Sequence, residues 1–166
     1  MDVALYKSRD SQWARERVSE LGHRCREFTP EQISDVSRGT ADVVYLVPYA
    51  LLSADEWPAI RVRLAQSSRF YVIFGPAAST REVMHAARDG AFDVLSGEDD
   101  DPRWSEALVK AAESQKLWLQ LYGGAGGEAD EVLIGRSPGL LHLMQAFERL
   151  GPTDATVLIL VVSGVG

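Results

Sequence analysis

The chain has 166 residues, 46% of them hydrophobic, which is enough for one good core and a fragment of a second. Its net charge of -7 argues against broad, sequence-independent binding to a nucleic-acid backbone, which relies on clustered Lys and Arg. The lone Cys25 excludes an internal disulfide. Neither a signal peptide nor a membrane-length apolar run is present, so the expected setting is cytoplasmic and reducing, away from membranes, with Cys25 in a packing role.

Val3 to Tyr6 reads as a short apolar strand, and Trp13, Ala14, Val18 and Leu21 follow at helical spacing until Gly22 supplies a stop. Arg24 to Phe28 is a weaker second strand. Thr29-Pro30-Glu31-Gln32 has the form of a capping box opening a second helix through Ile33 and Val36 to Gly39. Val43 to Val47, β-branched and bounded by Asp42 and Pro48, is expected as a central parallel strand covered on both faces.

Ser53-Ala-Asp-Glu56 reads as another capping box, ahead of a helix carrying Trp57, Ile60 and Leu64. Phe70 to Phe74 is the next buried strand. Ser79-Thr-Arg-Glu82 opens a helix ending at Gly90, and Phe92 to Leu95 is a final short strand. Five strands alternating with helices predict an α/β fold, a doubly wound parallel sheet in flavodoxin-like order.

From Asp101-Pro102 a long helix is expected, with Trp104, Leu108, Ala111, Gln115, Trp118 and Tyr122 spaced as in a coiled-coil seam. An amphipathic helix on its own sheet accounts for Trp104 to Ala112 well, and for Trp118 and Tyr122 less well, so the seam is preferred. Gly123 to Gly127 and the acidic Glu128 to Glu131 read as a flexible linker. The expected domains are therefore 1–122, a linker at 123–131, and a fragment at 132–166.

In that fragment Ser137 can cap a helix begun by Pro138, whose apolar stripe runs through Leu140, Leu141, Met144, Phe147 and Leu150 to Gly151-Pro152. Val157 to Val162 is then a wholly apolar run, followed by Ser163-Gly-Val-Gly166. The order Ile134-Gly-Arg-Ser137, helix, Gly151-Pro-Thr-Asp-Ala-Thr-Val-Leu-Ile-Leu160 resembles the start of the AAA+ ATPase domain of sigma-54-dependent transcription activators. The resemblance makes Ser163, Gly164 and Gly166 a remnant P-loop without the Walker lysine, so this chain is not expected to hydrolyse ATP. It implies ATP and Mg²⁺ for a full-length parent. It also implies partners: a homodimer or higher oligomer, and sigma-54 RNA polymerase and DNA through further C-terminal domains.

The front of the chain resembles a response-regulator receiver domain: Asp42-Val-Val-Tyr-Leu46 matches its third strand and Gly90-Ala-Phe-Asp-Val-Leu95 the approach to its fifth. A working receiver needs an acidic pair for Mg²⁺ after strand one, a nucleophilic Asp after strand three, a hydroxyl after strand four and a Lys after strand five. The resemblance places Lys7, Ser8 and Arg9 at the acidic pair, with Asp10 nearby. It places Val47 at the nucleophile, Gly75 at the hydroxyl and Gly97 at the lysine. It thus implies a degenerate receiver that is not phosphorylated and holds no metal.

Regulation through assembly is then expected to run through Trp104, Leu108, Trp118 and Tyr122. An alternative is a cyclic di-GMP-responsive regulator of biofilm, exopolysaccharide or flagellar genes. Against it, Glu131 stands where that branch has an arginine, and Arg136 alone is weak support. His23, His85 and His142 are too scattered to gather a metal. Asp55, Glu56 and Glu98 to Asp101 read as solvated charges at helix starts.

Overall fold

A computed structural model describes residues 1–9, 11–33, 43–67, 69–77 and 79–122, together with the helical positions 139, 142, 143, 145, 146 and 149. The expected body of the second helix, the linker, the apolar run 157–162, Asp10 and the P-loop positions Ser163, Gly164 and Gly166 lie outside the described residues. So does the side chain of Tyr122. His142, Leu143, Gln145, Ala146 and Arg149 fall where the apolar spacing predicts a helix.

Five strands form one parallel sheet in the order β2-β1-β3-β4-β5. They are β1 (Asp2–Tyr6), β2 (Arg24–Phe28), β3 (Val43–Pro48), β4 (Tyr71–Gly75) and β5 (Asp93–Ser96). The helices are α1 (Ser11–Glu20), α2 (Trp57–Gln66), α3 (Thr80–Arg88) and α4 (Asp101–Tyr122), with short 3-10 turns at Pro30–Gln32 and Tyr49–Ser53. Successive side chains of a strand point to opposite faces, so the central strands must be apolar throughout. All six residues of β3 and all five of β4 are buried.

The alternation divides the core in two. Val3, Leu5, Val44, Leu46, Val72, Phe74 and Leu95 meet Ala14 and Val18 of α1 and Trp104, Ala107, Leu108 and Ala111 of α4. On the other face Ala4, Tyr45, Val47, Tyr71 and Ile73 meet Trp57, Ile60 and Leu64 of α2 and Ala86 of α3. Truncating one such buried Leu to Ala costs about 2–5 kcal/mol. The glycine stops are explained by backbone: Gly22 and Gly90 have φ of 76° and 88°, which a side chain disfavours.

Two of the three expected capping boxes act as such. Ser79 N donates to Glu82 Oε2 at 2.6 Å and Glu82 N to Ser79 Oγ at 3.4 Å, while Thr29 N donates to Gln32 Oε1 at 3.1 Å. The box at Ser53–Glu56 does not form. Ser53 ends a 3-10 turn, α2 starts at Trp57, and Glu56 instead accepts a hydrogen bond from the Tyr6 hydroxyl at 3.2 Å.

The coiled-coil seam needs correction over most of its length. Trp104, Leu108, Ala111 and Gln115 are 0% exposed, so that face of α4 lies on its own sheet and is not open to a second copy. The spacing of four and three is equally that of a helix covering a sheet, and here burial within the domain accounts for it.

Candidate functional site

Residues at strand ends converge on the carboxyl edge of an open parallel sheet. Lys7 and Ser8 follow β1, Val47 is the penultimate residue of β3, Gly75 ends β4, and Gly97 follows β5. Since β1, β3, β4 and β5 are consecutive in the sheet, these sequence-distant positions come to one edge. At Val47, Gly75 and Gly97 what stands there is close packing, whereas Lys7 and Ser8 border an open groove.

The β1–α1 turn is folded onto Ser11, which is 3% exposed. Its hydroxyl donates to Tyr6 O at 2.9 Å and accepts from Ser8 N at 2.5 Å. Lys7 and Arg9 project from this turn into solvent, along a groove shared with Arg15, Glu16 and Glu27. Of these carboxylates, Glu27 is paired with Arg15 at 2.6 Å. Lys7 and Arg9 thus put an ammonium and a guanidinium group beyond the end of β1.

Val47 is 0% exposed and packs in the core with Tyr45 and Ile73. Beside it, Tyr49 leans over Gly75: a Cβ added at Gly75 would lie 3.1 Å from Tyr49 Cβ. A hydroxyl-bearing side chain at that position has no room unless Tyr49 moves. Burial pushes the Tyr49 phenol above its usual range, with the Glu82 charge adding to the effect.

At the last position Gly97 N donates to Gly75 O at 2.8 Å, and a Cβ on Gly97 would lie 3.1 Å from Pro76 O. The ends of β4 and β5 are therefore drawn together over the place a lysine would occupy. The acids just beyond are used locally. Asp99 Oδ2 accepts from Ser96 N at 2.7 Å, and Asp100 Oδ1 from Arg103 N at 2.9 Å. Arg17 of α1 donates to Asp99 O and places its Nε 3.0 Å from Asp101 Oδ1.

Aromatic side chains finish the closure. Trp13 lies edge-to-face with Phe74 and with Trp104, at ring-centroid distances of 5.6 and 5.7 Å. The Trp104 indole N–H donates to Ser96 O at 2.9 Å, which satisfies a buried donor. Among the described residues no group of three or more His, Cys, Asp and Glu side chains comes together as a metal site. Burial raises the Cys25 thiol and lowers the His23 imidazole from their usual values.

The remaining linker-helix residue, Trp118, is partly buried, with its ring centroid 6.5 Å from that of Phe70, which in turn stacks on Phe92 at 5.3 Å. It therefore continues past the sheet while still touching it. Sequence reasoning missed Tyr49, whose neighbour Gly75 gave no hint of what it accommodates. It also missed Asp89, which accepts from Trp57 Nε1 at 2.7 Å and Arg61 at 3.0 Å. The cue there was slight: an acid just ahead of a helix-ending glycine.

No family model matches the chain. It is 33% identical over 90 residues to the transcriptional regulatory protein ZraR of Salmonella typhimurium, and equally to that of Salmonella typhi. The match takes in 54% of this chain and spans about a fifth of those relatives, 20% of each. Among solved structures, the signal receiver domain of a modulated diguanylate cyclase from Desulfovibrio desulfuricans superimposes with a TM-score of 0.53 at 16% identity, covering 70% of this chain and 96% of that one. The fold is a receiver fold. NtrX from Brucella abortus in complex with ADP superimposes with a TM-score of 0.58 at 18% identity, over 93% of this chain and 36% of its own. In this receiver fold no described helix is long and apolar enough to cross a membrane.

Proposed function

We propose that this chain is a degenerate receiver domain that regulates a sigma-54-dependent transcription activator without aspartyl phosphorylation. The observation that carries the reading is the packing at the phosphoryl position: Val47 is wholly buried, and a side chain at Gly75 would crowd the Tyr49 Cβ at 3.1 Å. Phosphoryl transfer needs a carboxylate nucleophile, a bound divalent cation and stabilisers for the phosphoryl oxygens. Valine, a Lys-Ser-Arg turn and two glycines supply none of these. The output is therefore conformation or assembly.

The assignment to sigma-54-dependent activators rests on the Ile134-Gly-Arg-Ser137 stretch and the Gly151-to-Leu160 sequence beyond it, with support from the similarity to ZraR. ATP and Mg²⁺ would belong to the ATPase domain that this stretch resembles, and sigma-54 RNA polymerase and DNA would be partners of the whole protein.

Control of oligomerisation is assigned to the distal half of α4, at Trp118 and Tyr122, because the proximal half is committed to the sheet. Sedimentation velocity on the full chain tests this. Trp118→Ala with Tyr122→Ala should shift self-association toward monomer, and an unchanged distribution overturns the assignment. Incubation with acetyl phosphate and Mg²⁺ tests the other half of the reading, which a phosphoryl mass increment would overturn.

A further inference from the structure

Helix α3 is lightly held for a helix of its position. Ala86 is its buried residue, while Val83 and Met84 are 40% and 55% exposed. Between α3 and the Tyr49–Ser53 turn lies an open groove of about 820 Å³. Arg81, Met84, His85 and Arg88 line its helical wall, with Tyr49 and Ser53 opposite. Arg81, His85 and Arg88 recur at i, i+4 and i+7, so they share one face and form a row about 10 Å long, with Met84 alongside.

The charges in this row are not spent within the domain. Among the described residues neither Arg81 nor Arg88 has a carboxylate within 4.0 Å, whereas Arg15, Arg17, Arg24, Arg61 and Arg103 each do. His85 lies 3.6 Å from Asp89, which already holds Trp57 and Arg61. Glu82, the acid lining the groove, is bound to the Ser79 amide. Two exposed, unneutralised arginines beside a bare methionine are unexpected on a chain of net charge -7. At the start of α3 the capping box occupies the Ser79 and Glu82 amides, and the guanidinium groups of Arg81 and Arg88 carry the full positive charges of the groove.

We propose that this groove docks an acidic peptide segment of a partner protein, bearing an apolar residue that packs on Met84. Charge complementarity selects the sign: Arg81 and Arg88 line the groove with no carboxylate within 4.0 Å among the described residues. Its shape selects a peptide, because two arginines about two helical turns apart match carboxylates repeated along a chain, and a single compact anion would engage one end. Met84 adds an apolar contact that a free phosphate cannot use. The groove shares Tyr49 with the strand end at Gly75, and its lining residues are separate from the distal half of α4.

The test uses the full chain and a fluorescein-labelled peptide in which Glu and Asp alternate with Leu, read by fluorescence anisotropy and by amide chemical shifts. Saturable binding is expected, with shifts concentrated at Tyr49–Ser53 and Arg81–Arg88. Arg81→Glu and Arg88→Glu should each weaken it about tenfold, as should Met84→Ser. Lys116→Glu, the same charge change at an exposed position on α4, should leave it unchanged, and circular dichroism checks that each variant is folded. Absence of binding overturns the proposal, as does an equal loss in Lys116→Glu. Displacement by inorganic phosphate at concentrations that compete with the peptide, or equal binding of a peptide lacking Leu, would assign the row to compact anions instead.

Discussion

The side-chain amide of Gln115 accepts a hydrogen bond from the backbone N–H of Phe70 at 2.9 Å, 45 residues away in sequence, while its NH₂ donates to Val43 O at 2.7 Å. One wholly buried side chain of α4 thus completes the backbone hydrogen bonding where β3 and β4 begin. Both bonds fix the same amide orientation, with oxygen toward the donor and nitrogen toward the acceptor. The register of the long helix against the sheet follows from it.

Replacing Gln115 by Leu keeps the volume and strands both backbone groups. Since each buried group left unpaired costs about 1–3 kcal/mol, Gln115→Leu should destabilise the domain by about 2–4 kcal/mol in urea unfolding. Gln115→Glu retains the acceptor and loses the donor. An effect below about 0.5 kcal/mol for Gln115→Leu would mean that the strand ends find other partners.

Gly75→Ala should cost about 1–3 kcal/mol, because the new Cβ meets Tyr49 Cβ at 3.1 Å. Tyr49→Gly, which removes that Cβ, should in the same chain recover part of that loss. A double-mutant cycle with no coupling between the two positions would show that Tyr49 does not close the site.

Val47→Asp restores the carboxylate but not the chemistry. It places a charge in the apolar cluster of Tyr45 and Ile73, so thermal unfolding should move to markedly lower temperature, and acetyl phosphate with Mg²⁺ should still leave no phosphoryl mass increment. Phosphorylation of this single variant would show that Lys7 and Gly97 do not limit the site.

His23 gives the fold a pH dependence of definite sign. Burial first, and the Met1 amino charge second, lower its pKa below 6.5, so the neutral ring is favoured in the folded state. As pH falls through 6.5 the unfolded chain takes up the proton first, and stability declines until the folded value is passed. Urea midpoints measured between pH 7.5 and 5.5 should fall for the native chain and fall less for His23→Gln. Parallel slopes would remove His23 as the cause.

Much of the fold was legible because its elements carry strong local marks. The apolar runs at Val43 to Val47 and Phe70 to Phe74 are β3 and β4 to within a residue or two, and Gly22 and Gly90 end elements as their positive φ requires. The Ser53–Glu56 pattern misled because a capping box is a local preference, and Leu51 and Leu52 pull that segment into a 3-10 turn to reach the core. The seam at Trp104 and Leu108 misled for a related reason. Spacing reports that a helix has an apolar face and is silent on what covers it. Gln115, a polar residue among those apolar positions, was the cue that the covering surface offers unpaired backbone.

Of the candidate site, what was legible is that Lys7, Ser8, Val47, Gly75 and Gly97 sit at or just beyond strand ends, which the sheet order brings to one edge. Its closure was not, since that depends on Tyr49 meeting Gly75 and Trp13 meeting Trp104 across separate elements.

That Trp13–Trp104 contact has a spectroscopic consequence. Two indoles held edge-to-face at 5.7 Å in a packed setting should give a coupled near-ultraviolet circular-dichroism signal sensitive to their mutual angle, added to that of Trp57 and Trp118. Their position, beside the strand ends where Ser96 accepts the Trp104 N–H, makes the domain its own optical gauge of that edge. Any rearrangement there that a partner provokes can be followed in the unlabelled chain.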